Sequence, residues 1–303
     1  MRTVAAVGGL LALLAVVTVA AAWFTSPSTN DLLARAAAVS SRAGGTPVRL
    51  ADISPVLQQA VVDTEDERFY RHHGVDVVGV GRAVLYDASH ASTAQGASTI
   101  TEQLVKNLYL GGNDHSAWRK LESAVMAFRA EGHLSKGQIL DAYLNTVYLG
   151  SGATGVEAAA RRYFGVSASR LSLAQASLLA GLIQAPTSDD PLTDPAAARA
   201  RQVEVLASMV RNGSVTEAQA ARALAAPLTL SSGPPLALVR GADLSPAPAF
   251  AMFDVAIGVA LLLVAAGVLL VGRLLPGRLL WWLLASPLVL AGLVLLARSF
   301  QAD

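Results

Sequence analysis

Three long apolar runs limit what this chain can fold into more than any other feature. They are residues 4–24 (VAAVGGLLALLAVVTVAAAWF), 255–272 and 279–297. Each approaches the roughly 20 residues a helix needs to cross about 30 Å of hydrocarbon. They raise the hydrophobic share to 53% and leave only 15% charged residues, which is too apolar for an ordinary soluble domain. The stretch between them is long enough to bury a core of its own. The predicted organisation is an N-terminal transmembrane anchor at 1–25, a linker rich in Ala, Ser and Gly at 26–48 and a globular domain at 49–226. A Pro/Ser-rich linker at 227–249 and two transmembrane helices at 250–303 follow.

The first run has a competing reading. Ala20, Ala21 and Ala22 are small residues suited to a signal-peptide cleavage site. Against cleavage stand the length of the run and the interfacial pair Trp23–Phe24. Arg2 places the N-terminus inside and the domain outside, and Arg273 and Arg278 fall on the inner side between the last two runs. Arg298 does not fit this scheme. A net charge of +1 gives no sign of nucleic-acid binding. The absence of cysteine removes disulfide and thiolate chemistry.

Between the apolar runs the pattern is helical, and strand signals are scarce. In 118–131, Trp118, Leu121, Val125 and Phe128 form one apolar stripe. In 136–149, Ile139, Leu140, Tyr143, Leu144 and Val147 form another. Residues 172–183 are nearly all apolar and predict a buried helix. Two amphipathic helices follow in 193–226, broken at Asn212–Gly213.

Two segments carry candidate chemistry. Thr64-Glu65-Asp66-Glu67-Arg68-Phe69-Tyr70-Arg71-His72-His73-Gly74 brings adjacent carboxyls together, and such groups can drive each other's pKa apart. Read alone, a charged cluster of this kind is a solvated face, and the two histidines are structural. No His/Asp/Glu set has zinc-ligand spacing. In 95–107, Ser98 or Thr99 can cap a helix that puts Thr99, Gln103 and Lys106 on one face, with Ile100, Leu104 and Leu108 buried. A hydroxyl, an amide and an ammonium near a helix N-terminus suit an anion such as phosphate. Read alone, this too is an ordinary capped surface helix.

Together, in order, the segments resemble glycosyltransferase family 51. This is the domain of monofunctional peptidoglycan glycosyltransferases and of class A penicillin-binding proteins. The resemblance rests on Glu65-Asp66-x-x-Phe69-x-x-His72-x-Gly74 and on Gly96-Ala97-Ser98-Thr99-Ile100-Thr101-x-Gln103-x-x-Lys106-Asn107. Arg119-Lys120 follows, then Ile139-Leu140-x-x-Tyr143-Leu144-Asn145-x-x-Tyr148-x-Gly150 and Leu179-Ala180-Gly181-Leu182-x-Gln184-Ala185-Pro186. No Ser-x-x-Lys or Lys-Thr-Gly supports penicillin-type acyl-enzyme chemistry.

The resemblance implies a mostly α, lysozyme-like glycosyltransferase domain on the outer face of the bacterial cytoplasmic membrane. It acts on lipid II and the nascent glycan strand, beside other cell-wall synthesis proteins and without nucleic acid. Glu65 is then the general base, tuned by Asp66, with the second carboxylate sought at Glu122. Ser98, Thr99, Gln103, Lys106, Asn107, Arg119 and Lys120 form the substrate and pyrophosphate set. No metal site or cofactor is assigned, and help from a divalent cation stays open.

Three positions depart from the family pattern. Ser123 stands where a second glutamate is usual, with Glu122 one residue earlier, about 100° around a helix. Glu122 is read either as its partial replacement or as a plain ion-pair partner of Arg119. Glu102 replaces a common glutamine, and 111–115 lacks an arginine, leaving His115 as the nearby candidate. These changes motivate an alternative, a weakened or inactive scaffold that binds lipid II or cell-wall enzymes. A peptidoglycan-cutting glycosidase is a third reading, which needs a second carboxylate about 5–10 Å from the first.

Overall fold

The computed structural model describes residues 2–43, 46–79, 98–111 and 116–231, with side chains from Leu14 onward. Contacts divide the chain into two units, residues 1–76 with 98–247 and residues 77–97 with 248–303. Of the second, only 77–79, a short helical stretch, is described. The two C-terminal apolar runs, His115 and nearly all of the 227–249 linker lie outside the described residues.

The described part is helical, and its only β pairings are isolated bridges at His73–Val75 and Tyr148–Thr154. Its helices are α1 (Arg2–Thr25), α2 (Leu32–Arg42), α3 (Pro55–Glu65), α4 (Ile100–Val105) and α5 (Ala117–Glu131). They continue with α6 (Lys136–Thr146), α7 (Val156–Phe164), α8 (Leu173–Leu182), α9 (Pro195–Arg211) and α10 (Glu217–Ala225). Local sequence sets most of the starts. Pro55 and Pro195 sit in the first turns of α3 and α9, where no backbone N–H is missed. Capping boxes open α4 (Thr99/Glu102), α6 (Ser135/Gln138), α8 (Ser172/Gln175) and α10 (Thr216/Gln219).

α8 is the hub. Its run from Ala176 to Leu182 is buried throughout, and α3, α7, α9 and α10 pack around it. A helix apolar on all sides has no wet face to offer. A second group forms around α6, where Ile139, Leu140, Tyr143 and Leu144 are all fully buried, and α2 and α4 pack against it.

Two regions differ from the sequence reading. The stretch taken as a linker at 26–48 contains α2, with Leu32, Ala36 and Ser40 buried against α6. Small Ala and Ser residues let the two helices approach, and the same composition disguised the helix as a linker. On α5 the buried residues are Glu122, Ser123, Val125, Met126, Ala127, Ala130 and Glu131, while Trp118 and Phe128 stay exposed. Of the expected apolar stripe Val125 is buried, whereas its two aromatic ends face away from the core. Glu122, Ser123 and Glu131 share the inward face with Val125, Met126, Ala127 and Ala130.

α1 ends against α5. The Arg129 guanidinium donates to the carbonyls of Trp23, Ser26 and Pro27 and lies 4.4 Å from the Trp23 ring centroid. It thus satisfies carbonyls that the end of a helix leaves open. Among the described residues no helix is long and apolar enough to cross a membrane.

Candidate active site

Glu65 closes α3, and its carboxyl meets an amide from a second helix that a phenol from a third holds in turn. Gln103 Nε2, on α4, donates to Glu65 Oε2 at 2.8 Å. Tyr143 Oη, on α6, donates to Gln103 Oε1 at 2.7 Å. Tyr143 is fully buried, and desolvation, then the charges of Glu65 and Asp66, hold its pKa well above the ordinary value. The phenol remains a donor, so it fixes the amide with its N–H toward Glu65. Glu65 keeps some exposed surface but is packed around by protein. Desolvation pushes its carboxyl above the ordinary glutamate value, Gln103 and then Arg201 pull it down, and Asp66 adds an upward push.

Asp66, read as the tuning neighbour, is buried and bound on both oxygens. His72 Nε2 lies 2.9 Å from each, and Ile100 N–H donates to Oδ2 at 3.1 Å. Asp66 therefore ties the first motif to the start of α4. Gly74 completes that tie. Its φ is +73°, and a Cβ there would lie 2.5 Å from the Phe128 nitrogen, so only glycine lets the loop lie on α5.

The start of α4 is closed by protein groups. Thr99 N–H donates to Glu102 Oε2 at 2.9 Å, and the Thr99 hydroxyl donates to the Gly74 carbonyl at 2.6 Å. The same hydroxyl accepts from Glu102 N–H at 3.1 Å. The α-helix runs to Val105, and Lys106–Leu110 continues it as a π-helical turn. Lys106 and Asn107 are exposed at its start. π turns inside helices recur at functional sites.

The cations of α5 are paired. Lys120 Nζ lies 3.1 Å from Glu102 Oε1 and donates to Ser98 Oγ at 2.7 Å. Arg119 donates to Glu122 Oε2 at 3.3 Å. Ser123 Oγ donates back to the Lys120 carbonyl at 2.8 Å. Among the described residues no group of His, Asp and Glu is arranged to hold a metal ion.

The Transglycosylase family model matches residues 30–210. A Cupriavidus necator protein provisionally named a transglycosylase is 41% identical over 226 residues, covering 75% of this chain and 94% of its own length. The chain belongs to the transglycosylase family. Membership places it among the peptidoglycan glycosyltransferases. Penicillin-binding protein 1A of Neisseria flavescens is 42% identical over 176 residues, which are 58% of this chain and 22% of that protein. This transglycosylase thus spans about 22% of the penicillin-binding proteins it matches. The crystal structure of penicillin-binding protein 1A from Haemophilus influenzae is 24% identical, with a TM-score of 0.37 over 61% of this chain and 18% of that one.

Two residues of the candidate site were not assigned to it from sequence: Tyr143, read in an apolar stripe and a family motif, and Arg201, which was not singled out. Gln103, expected at the pyrophosphate, bonds Glu65 instead. Arg201 crosses α8 at Gly181, where a Cβ would lie 3.0 Å from its Cγ, and its charge acts on Glu65. The glycine in Leu179-Ala180-Gly181 was the available signal. α9 is held on α3 near Glu65 by Ser208 Oγ and Asn212 Nδ2, which donate to the Asp63 carbonyl at 2.8 and 3.2 Å.

Proposed function

We propose that this transglycosylase polymerises lipid II into glycan strands and releases undecaprenyl pyrophosphate, with Glu65 as the general base. The observation that carries the reading is the desolvated Glu65 carboxyl on the neutral Gln103–Tyr143 relay. A base working near neutrality gains from a raised pKa, provided that it still ionises. In the reaction the 4-hydroxyl of one lipid II attacks the anomeric carbon of the growing strand and Glu65 takes the hydroxyl proton. The bond from that carbon to pyrophosphate oxygen breaks, the lipid pyrophosphate leaves with the electron pair, and the configuration inverts. Lys106 and Asn107, exposed on the π turn, face the leaving-group charge, where cationic donors have most effect.

In this reading the apolar run 4–24, whose side chains are described only from Leu14 onward, is an uncleaved anchor, and the domain works on the outer face of the cytoplasmic membrane, on a lysozyme-like scaffold. Exposed Trp23, Phe24, Trp118 and Phe128 support a membrane-facing surface, since aromatic rings favour the headgroup zone. The scaffold alternative draws on the absence of a carboxylate at Ser123. A glycosidase is less well supported, because Glu102 and Glu122 each sit against a cation. Incubating the purified chain with lipid II separates the readings. Polymer is expected; lipid II left intact favours the scaffold, and cleavage of preformed glycan favours the glycosidase.

A further inference from the structure

Four described helices open with capping boxes, and three of them use glutamine at the third helical position. The fourth, on α4, uses Glu102. A cap needs only one acceptor oxygen there, so glutamine suffices. Glu102 is also 2% exposed, whereas Gln138 and Gln219 are exposed and Gln175 is half-buried. Burying a carboxylate costs more than burying an amide. The extra charge therefore has a use besides capping. Its second oxygen lies 3.1 Å from Lys120 Nζ, and the same ammonium donates to Ser98.

We infer that Glu102 is a positioning residue that holds the Lys120 ammonium against Ser98 and lowers the positive potential offered to a pyrophosphate. The inference rests on the glycosyltransferase reading. It also connects two departures. Position 123 lacks a carboxylate, and its hydroxyl instead binds the Lys120 carbonyl, while position 102 supplies one to the same lysine from the neighbouring helix. Weaker retention of the leaving group would favour its release. The device differs from Glu122, whose carboxylate pairs with Arg119 along one helix.

The test is calorimetric titration of the full-length chain in detergent with inorganic pyrophosphate. Glu102→Gln keeps the capping acceptor, and Lys120, with a 41% exposed side chain, can reach water once released. The variant should bind pyrophosphate about three- to five-fold more tightly than the parent, the size of a partly exposed ion pair. The gain should disappear in Glu102→Gln with Lys120→Gln and fade as salt rises. Unchanged or weaker binding, a gain that survives in the double variant, or no binding by any variant would overturn the inference. So would a Glu102→Gln chain that fails to fold by circular dichroism, because Glu102 would then be a folding requirement. Failure of the glycosyltransferase reading shows separately, as absence of polymer from lipid II with the parent chain.

Discussion

Around Glu65 the hydrogen-bond partners are neutral, whereas around Lys120 and Arg119 each cation sits beside a carboxylate. The difference separates two tasks. An amide held by a phenol can orient a carboxyl while lowering its proton affinity far less than a bonded guanidinium would. Arg201, itself paired with Glu204, acts there only through its charge, against the larger effect of desolvation. At the other end, matched charges set a moderate potential, which suits an anion that must both bind and leave. In the proposed reaction the first environment would keep a base basic and the second would let a product leave.

The hardest blow to this contrast is Glu65→Gln. It preserves size and the hydrogen bond from Gln103 but cannot take a proton. Lipid II turnover should fall at least about 10²-fold, as followed by polymer formation. The same variant should melt higher than the parent at neutral pH. A raised carboxyl pKa means that the folded state favours the protonated form. That stability is fully present below the ordinary value of 4.5 and is lost as pH rises through the elevated one. Glutamine mimics the protonated state and avoids the loss. A lower melting temperature at neutral pH would show that Glu65 is not strained by burial.

Removing the far end of the relay should have a smaller effect. Tyr143→Phe leaves the buried Gln103 carbonyl without its donor, at a cost of about 1–3 kcal/mol. We expect about a 10-fold lower kcat, on the same scale, with a smaller change in KM. A pure packing role would lower the melting temperature and leave kcat intact. Arg201→Gln sharpens the electrostatic half of the comparison. With the downward pull of its charge removed, the acid limb of the rate profile should move to higher pH, and a limb that stays in place would assign Arg201 to packing alone. The smallest effect belongs to Glu122→Ala. Its partner Arg119 has a 39% exposed side chain, so stability should change by less than about 1 kcal/mol in a denaturant titration. A large loss of turnover would instead make Glu122 the replacement for the carboxylate missing at Ser123.

Where apolar spacing and caps coincide, the fold was legible in the sequence. Ile139, Leu140, Tyr143, Leu144 and Val147 form the buried face of α6 and its exit. The all-apolar α8 is the hub, and the break at Asn212–Gly213 separates α9 from α10. Periodicity was only partly right on α5: Val125 is buried as expected, but Glu122 and Ser123 also turn inward and Trp118 and Phe128 stay outward. It also missed α2, whose buried face is largely alanine and serine. At the site, Glu65 stood out by its motif. The Gln103–Tyr143 relay joins residues 40 positions apart, and no local pattern encodes which acceptor an amide will find. Arg201 depends on the packing of α9 across Gly181, which only the fold brings about.

The most direct test of the account is the pH dependence of single-turnover lipid II polymerisation. The parent chain should show an acid limb whose midpoint lies above the ordinary glutamate value of 4.5, and Glu65→Gln should leave only a slow, limb-free residual rate. A parent limb at or below 4.5, or a Glu65→Gln chain that retains both rate and limb, would contradict the assignment of Glu65 as a desolvated general base.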